Sequence, residues 1–138
     1  MPIVIDSNLL VSMVSGDPRG SIVENYFLNW INSGIDLHTP ELARYEVANA
    51  LTRLIVGSAF PINRVKDALL NLSILPITYH ISLNYEDIIN ISLKLKRQSA
   101  YDASYLSLTQ QLGADLYTLD GPLYRNAIGY GFKVFLIS

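Results

Sequence analysis

Apolar residues along the chain follow two spacing patterns, and each pattern predicts one kind of element. Short apolar runs, such as the continuous run Ile3-Val-Ile5, are typical of strands that are buried on both faces of a parallel sheet. Pro76 falls within one run and places that strand at a sheet edge or at its own start, because proline donates no backbone hydrogen bond. We therefore predict strands at residues 3–5, 35–38, 75–79, 115–118 and 132–137.

The segments between these runs carry apolar residues at the spacing of an amphipathic helix. The second such segment has this spacing and is followed by Gly34 as a stop; its apolar residues are Ile22, Val23, Tyr26, Phe27, Trp30 and Ile31. Thr39-Pro40 is predicted to begin the third helix, with threonine as the N-cap and proline at the first helical position. The predicted helices cover residues 9–14, 21–31, 41–56, 61–72, 85–95, 99–113 and 121–128.

The alternation of strands and helices predicts the fold class. Successive parallel strands are joined by right-handed crossovers, which cover both faces of the sheet with helices. The chain has 138 residues, half of them hydrophobic, which suits one domain with an ample core. We predict a single α/β domain over residues 1–138, in which the helices between residues 41 and 73 form a candidate lid or dimer surface.

Composition excludes several classes of protein. The chain has no cysteine, which rules out disulfides, thiolate metal sites and a cysteine nucleophile, and fits the reducing cytoplasm. No apolar stretch approaches the roughly 18 to 20 residues that cross a bilayer, and the N-terminus lacks the basic region of a signal peptide. We therefore expect a cytoplasmic protein with no membrane partner. The formal charge of −2 gives no overall attraction to nucleic acid, so a polyanion site would need a local basic patch.

Four acidic residues stand out by their positions relative to the predicted elements. Asp6 and Asp120 each follow a predicted buried strand, where they could serve as ordinary helix N-caps. Asp102 falls three residues after Ser99, as in a capping box at a helix start. Glu46 lies in the second turn of a predicted helix, at the border of an apolar stripe, where a salt-bridged surface role is common.

The combination of these four residues points beyond capping. In a parallel sheet, all four positions fall at the edge where the strands end. Carboxylates that converge raise one another's pKa values, and such a site usually exists to hold a cation. Oxygen ligands in a chain without cysteine favour Mg²⁺ or Mn²⁺ over Zn²⁺. Pairs of such ions commonly assist in-line displacement at phosphorus, so the pattern predicts phosphodiester chemistry.

The four acidic motifs, in this order, resemble those of PIN domains and, more narrowly, of the VapC-type toxin ribonucleases of prokaryotic toxin–antitoxin pairs. The resemblance covers essentially the whole chain. Its motifs are Val-Ile-Asp6-Ser-Asn, Tyr-Glu46-Val-Ala-Asn-Ala-Leu, Tyr-Asp102-Ala-Ser-Tyr-Leu and Tyr-Thr-Leu-Asp120-Gly-Pro-Leu. The resemblance implies a PIN-like domain with sheet order 3-2-1-4-5 and Mg²⁺- or Mn²⁺-dependent endoribonuclease activity on RNA. It also implies a homodimer and inhibition by a small antitoxin protein.

The resemblance carries catalytic roles onto the four acidic residues. Asp6, Asp102 and Asp120 are expected to hold the metal, directly or through water. Glu46 is expected either to complete the metal's ligand set or to accept a proton from the attacking water. The metal would lower the pKa of that water and neutralise charge on the phosphate.

Three polar neighbours and two arginines complete the predicted site. Ser7 and Asn8 match the small polar residues that follow the first acidic residue, and Thr118 matches a hydroxyl residue two positions before the last. All three are expected to orient carboxylates or waters. Arg53, two turns beyond Glu46, and Arg125 are candidate contacts to RNA phosphates. The other arginines with this possible role are Arg19, Arg44 and Arg97.

Two other interpretations of the acidic pattern stay open. A receiver domain of the response-regulator type also binds Mg²⁺ at strand ends, but it needs an acidic pair after the first strand and a lysine beyond the last. Here Asp6 is not paired, and Lys133 lies within the predicted last strand. A PIN-like domain that binds RNA or protein without cutting is the second alternative. His38 and His80 have no sequence spacing typical of a zinc site or a catalytic triad.

Overall fold

Parallel strands form one sheet at the centre of the molecule. The computed structural model describes residues 1–96 and 100–138. Its strands are β1 (Pro2–Ile5), β2 (Asp36–Pro40), β3 (Ile77–His80), β4 (Asp115–Thr118) and β5 (Val134–Leu136). They lie in the order β3-β2-β1-β4-β5, and every pair is parallel, as predicted. Receiver domains have the order 2-1-3-4-5, so this sheet excludes the receiver alternative.

Seven α-helices connect these strands in the described ranges. They are α1 (Ser7–Val14), α2 (Gly20–Asn32), α3 (Leu42–Val56), α4 (Val65–Ser73), α5 (Tyr85–Lys94), α6 (Tyr101–Leu112) and α7 (Gly121–Ile128). A 3₁₀ turn, Ile62–Arg64, precedes α4. Most predicted helices are found within one or two residues of these bounds. The predicted capping role of Ser99 lies outside the described residues, and the N-cap position of α6 is occupied by Ala100.

The central strand β1 separates two apolar cores. Ile5 packs on the side of α1, α2 and α3, where Phe27 and Leu51 are also buried. Val4 packs on the opposite side, where Leu106 and Leu116 belong to the second core. Val4 and Ile5 are both fully buried, and burial of each side chain stabilises the fold by roughly 1.5 to 3 kcal/mol. Helices therefore cover both faces of the sheet, as the apolar run predicted.

The predicted start of the third helix is wrong. Thr39 and Pro40 are the last residues of β2, and Glu41 occupies the N-cap position of α3. The hydroxyl of Thr39 donates to the carbonyl oxygen of Ile5 (2.9 Å) instead of capping the helix. Pro40 has no N–H, but pairing with β3 continues through the next amide, since Glu41 N donates to the carbonyl oxygen of His80 (2.9 Å).

The edge position of β3 confirms the prediction drawn from Pro76. The prolines at residues 40 and 76 thus lie at the end of one strand and just before another. None of the helices in residues 1–96 and 100–138 combines the length and apolarity needed to cross a membrane.

Candidate active site

The structure brings the four predicted carboxylates to one edge of the sheet. Asp6 directly follows β1, and Asp120 follows β4 by two residues. Asp102 lies in the first turn of α6, and Glu46 lies in the second turn of α3. The negative charges of Glu46, Asp102 and Asp120 all act on Asp6. The sequence prediction that these side chains lie near one another therefore agrees with the electrostatics of the folded chain, but within residues 1–96 and 100–138 they do not form the metal-sized cluster that was expected.

Asp6 carries the most perturbed carboxyl group of the site. Its side chain is buried, and burial raises the pKa of Asp6 from 3.8 to about 7. The hydrogen bond from Thr118 lowers this pKa, whereas the charges of Glu46, Asp102 and Asp120 raise it further. A carboxyl group of this kind is ionised at neutral pH only in part, and a bound cation would favour its charged form.

Asp6 occupies the N-cap position of α1, but its side chain does not cap the helix. The carboxylate instead accepts hydrogen bonds from Thr118 Oγ1 (2.8 Å) and Asn8 Nδ2 (3.3 Å), while Ser7 Oγ lies 3.5 Å away and its single hydrogen has a nearer acceptor in Glu46 (3.2 Å). Asp120 behaves differently, because its Oδ1 accepts from Leu123 N (3.0 Å) and caps α7. The simple capping explanation therefore holds for Asp120 and fails for Asp6.

Thr118 links the ends of β1 and β4. Its buried hydroxyl donates to Asp6 and accepts from Asn8 Nδ2 (3.1 Å) and from Asp120 N (3.0 Å). Asn8 also reaches the other strand end, since its Oδ1 accepts from Leu119 N (3.2 Å). Ser7, Asn8 and Thr118 thus lie next to Asp6, and Asn8 and Thr118 link the two acidic strand ends.

Glu46 is held by two hydroxyl groups. Its Oε1 accepts from Tyr105 OH (2.5 Å) and from Ser7 Oγ (3.2 Å). Burial, followed by the charges of Asp6 and Glu46, raises the pKa of Tyr105, so its phenol stays protonated and acts as a donor. The sequence analysis missed Tyr105. The available signal was its place three residues after Asp102, which puts both side chains on one face of α6.

The donor set of this site fits a hard divalent cation. Its side-chain donors are oxygens, and the mutual repulsion of the four carboxylates would be relieved by positive charge. In the described ranges, no group of three or more histidine, aspartate or glutamate side chains is gathered closely enough to enclose a metal ion. The carboxylates are therefore electrostatic neighbours whose ligand atoms do not form a closed cage.

The arginines that were predicted to contact RNA phosphates differ in their surroundings. The guanidinium of Arg125 lies over the start of α7, where its Nη1 is 2.9 Å from the position of a Cβ on Gly121, the residue after Asp120. Arg53 is exposed on α3. Two other arginines are engaged in exposed ion pairs, Arg19 with Asp17 (3.0 Å) and Arg44 with Glu41 (3.1 Å). Arg97 lies outside the described residues. Arg125 thus lies beside Gly121, the residue that follows Asp120.

His38 and His80 lie together on adjacent strands, although their sequence spacing suggested no partnership. His38 Nδ1 and His80 Nε2 are 2.8 Å apart, so one ring donates to the other. Burial and the nearby ring of His80 lower the pKa of His38, while Asp36 raises it. The pairing depends on the register of β2 and β3, which the sequence pattern alone does not reveal.

Comparisons with known proteins agree with this architecture. A sequence model described as "PIN domain" matches residues 3–129. The crystal structure of PAE2754 from Pyrobaculum aerophilum is similar, with a TM-score of 0.69 and 16% identity over 91% of this chain and 87% of that one. A domain of a functionally unknown protein from Methanocaldococcus jannaschii has a TM-score of 0.53 and 15% identity over 99% and 91%. At such identities the structural likeness concerns the fold alone. A search of curated proteins finds no match.

Proposed function

Because the chain belongs to the PIN domain family, whose members are generally nucleases, we propose that it is a metal-dependent endoribonuclease. The observation that carries this proposal is the environment of Asp6. Its buried carboxylate accepts hydrogen bonds from Thr118 and Asn8, and the negative charges of Glu46, Asp102 and Asp120 raise its pKa. At neutral pH, burial and the neighbouring negative charges destabilise the ionised form of Asp6 in the metal-free protein, as is expected where a carboxylate binds a cation.

The proposed ligands are Asp6, Asp102 and Asp120. When bound, Mg²⁺ or Mn²⁺ would lower the pKa of a coordinated water and offset the negative charge of the scissile phosphate. Thr118 and Asn8 keep one oxygen of Asp6, Oδ2, in a fixed position through their hydrogen bonds. Ligating carboxylates depend on partners of this kind for their orientation.

Glu46 either completes the ligand set or takes a proton from the attacking water. Both hydroxyl donors, Tyr105 and Ser7, bind Oε1 of its carboxylate. They leave Oε2 as the oxygen that we assign to the metal or to the proton. Tyr105 is a positioning residue in this scheme, since its phenol acts on Glu46 and its raised pKa keeps it protonated throughout the reaction.

Arg125 is the proposed phosphate contact nearest the reacting groups. Its guanidinium lies over Gly121, next to Asp120, where a phosphate oxygen bound at the carboxylates would be within reach. Arg53 is exposed on the helix that carries Glu46 and is proposed to contact a more distant phosphate. Each such cation contributes an electrostatic attraction that salt weakens.

We further propose that this nuclease is the toxin of a VapBC-type pair, active as a homodimer in the cytoplasm and inhibited by a small antitoxin. Apolar side chains exposed around α4 support a protein partner, since solvent-exposed apolar patches commonly mark interaction surfaces. They are Val56, Ile62, Leu69, Leu70 and Ile74. An arginine of the antitoxin that reaches the carboxylates is one physical route to inhibition.

Cleavage of structured RNA with and without Mn²⁺ tests the proposed activity. We expect cutting by the wild-type chain in Mn²⁺, none in EDTA, and none by Asp102→Asn, whose side chain keeps its size but loses its charge. Asp67→Asn, a change of an acidic residue on α4, is the matched control and should cut normally. RNA binding without metal-dependent cleavage would instead support the non-catalytic alternative.

A further inference from the structure

A groove lies along α3, beside the carboxylates. It has a volume of about 340 Å³, and its walls include Tyr45, Glu46, Asn49, Thr52 and Tyr101. Most of these residues come from one side of α3, while Tyr101 comes from the first turn of α6. Glu46 belongs to both the groove and the acidic site, and Tyr101 directly precedes Asp102. The groove therefore continues from the place where the scissile phosphate would lie.

Two exposed tyrosine rings distinguish this groove. Tyr45 is 78% exposed and Tyr101 is 58% exposed, in contrast to Tyr105 of the same site, which is buried. Exposed aromatic rings next to a nucleic-acid site commonly stack on bases, because every base presents a π-face. Asn49 adds an amide, which can both donate to and accept from a base edge.

We propose that this surface, which we call the tyrosine groove, holds an unstacked nucleobase of the RNA strand that is cut at the carboxylates. The inference rests on the proposed ribonuclease function and adds to it the means by which the substrate is held. The groove volume lies near the lower end of the range for small-molecule sites, roughly 300 to 1,000 Å³, which suits a single nucleoside. Single-stranded RNA supplies such a base, whereas a regular duplex keeps its bases stacked.

The charge distribution favours stacking as a source of RNA affinity. The chain carries a formal charge of −2, and four carboxylates lie where the phosphate must bind. Among the arginines of the described ranges, Arg19 and Arg44 are already paired with acidic residues. A stacking contact is neutral, so it adds affinity without further basic residues. We expect its contribution to be less sensitive to salt than phosphate contacts are.

The substitution Tyr45→Leu tests the groove, because leucine keeps apolar bulk but cannot stack as an aromatic ring does. Removal of one stacked base contact should raise the KM for a short single-stranded oligoribonucleotide in Mn²⁺ by roughly 5- to 100-fold. The kcat should change little, because Tyr45, unlike its neighbour Glu46, has no proposed contact with the reacting atoms. Tyr45→Phe keeps the ring and should restore the KM to within about twofold of the wild type.

Tyr85→Leu is the matched control. Tyr85 is 71% exposed, comparable with Tyr45. It is the first residue of α5, and Asp87, two residues later, accepts a hydrogen bond from Ser107 in the middle of α6 (2.6 Å). It is therefore remote from the first turn of α6, where the groove lies. Its substitution should leave both KM and kcat unchanged. A KM for Tyr45→Leu equal to that of Tyr85→Leu would overturn the groove while leaving the proposed nuclease function intact.

A binding measurement separates failure of the groove from failure of the nuclease proposal. In an Asp120→Asn background, fluorescence anisotropy can compare a labelled oligouridine with an abasic ribose-phosphate oligomer of equal length. Tyr45→Leu should weaken binding of the oligouridine and leave binding of the abasic oligomer unchanged. Equal weakening of binding to both oligomers would overturn the proposed nucleobase site. This binding test does not require the chain to cut RNA, so its outcome is independent of the nuclease proposal.

A second copy of the chain is the competing occupant of the tyrosine groove. If the two exposed rings pack against another protomer, Tyr45→Leu should lower the sedimentation coefficient of the protein and leave RNA affinity unchanged. That pair of results would overturn the nucleobase assignment. Unchanged sedimentation together with a raised KM supports it.

Discussion

The ends of β1 and β4 share one sequence feature and differ in structure. Each strand is followed by an aspartate at the N-cap position of the next helix, Asp6 before α1 and Asp120 before α7. The Asp120 carboxylate accepts from the backbone of its own helix, at Leu123 N. The Asp6 carboxylate makes no such bond and is buried beside Thr118 and Asn8. Only one of the two therefore stabilises the helix that follows it.

This difference shows that the fold favours the charged form of one aspartate and disfavours that of the other. A cap hydrogen bond favours the ionised form of a carboxylate, whereas burial among like charges disfavours it. At Asp6 the second effect prevails, because burial and three acidic neighbours outweigh the bond from Thr118. The folded structure without a bound cation therefore disfavours the charged form of Asp6. Four predictions test the contrast between the two strand ends.

The largest expected effect is on catalysis at the end of β1. Asp6→Asn removes a proposed ligand and should strongly lower metal-dependent RNA cleavage. Loss of a residue that only orients a metal ligand typically costs roughly 10- to 100-fold, and loss of the ligand itself should cost more. The fold should survive, because asparagine has the same size and can still accept from Thr118. Initial rates in Mg²⁺, with circular dichroism of the same samples, measure both quantities. Cleavage at the wild-type rate would refute the role of Asp6.

The second prediction concerns the stability of the metal-free protein. The folded pKa of Asp6, about 7, lies above the unfolded value near 3.8, so the folded state binds this proton more tightly. Protonation of Asp6 therefore stabilises the folded state, and this stabilisation is fully present below pH 4 and is lost as the pH rises to 7. Over about three pKa units the loss is on the order of 4 kcal/mol. Asp6→Asn should therefore remove much of the decline in unfolding free energy between pH 5 and pH 8.

Urea unfolding in EDTA at pH 5 and pH 8 measures this decline for the wild-type and Asp6→Asn proteins. Asp17→Asn is the control, because Asp17 is only partly buried and its pKa is lowered by its hydrogen bonds to Arg19. That variant should retain the wild-type decline between the two pH values. Parallel pH profiles for the wild type and Asp6→Asn would mean that burial does not destabilise the charge of Asp6. Addition of Mn²⁺ should restore stability to the wild type at pH 8 and much less to Asp6→Asn.

The third prediction breaks the connection between the two strand ends. Thr118→Val keeps the shape of the side chain but removes the hydroxyl that binds Asp6, Asn8 and the Asp120 amide. Loss of such an orienting partner should weaken Mn²⁺ binding by roughly 10- to 100-fold. Isothermal titration calorimetry measures the affinity without RNA. Thr109→Val is the control, because this hydroxyl is also buried but, among residues 1–96 and 100–138, its bond stays within α6, to the carbonyl oxygen of Tyr105 (2.8 Å). Equal weakening in both variants would assign the effect to general destabilisation.

The sequence predicted best those features that depend on local pattern. The run Ile3-Val-Ile5 has apolar side chains on both faces, which indicates a central strand, and Gly121–Ile128 follows an aspartate with proline near its start. The meeting of Asp6 with Asp120 follows from parallel topology, because strand ends of a parallel sheet share one edge, whereas the strand order came from the resemblance to PIN domains. Fold class and the acidic residues were therefore accessible from the chain alone.

Features that depend on long-range register were not accessible. Thr39 has the local signature of an N-cap, but its hydroxyl is taken by a carbonyl of β1, 34 residues away. The bond from Tyr105 to Glu46 joins residues 59 positions apart, and the contact of His38 with His80 joins residues 42 apart. The neighbouring sequence places Tyr105 on the same face of α6 as Asp102, but it does not identify Glu46 as the partner of Tyr105, Ile5 as that of Thr39, or His80 as that of His38. Tertiary contacts decide which of several local options each side chain takes.

The smallest expected effect isolates the cap at the end of β4. Asp120→Ala removes the bond to Leu123 N and should lower the free energy of unfolding by about 1 kcal/mol, whereas Asp120→Asn should be nearly neutral, since asparagine caps as well as aspartate. Urea unfolding of both variants in EDTA provides the measurement, and both should lose cleavage activity, because neither supplies a charged ligand. Stability and activity thus separate at Asp120: the cap needs only an acceptor oxygen, while the proposed metal role needs the charge. Equal stability of the two variants would show that the cap contributes nothing, and the contrast with Asp6 would then rest on burial alone.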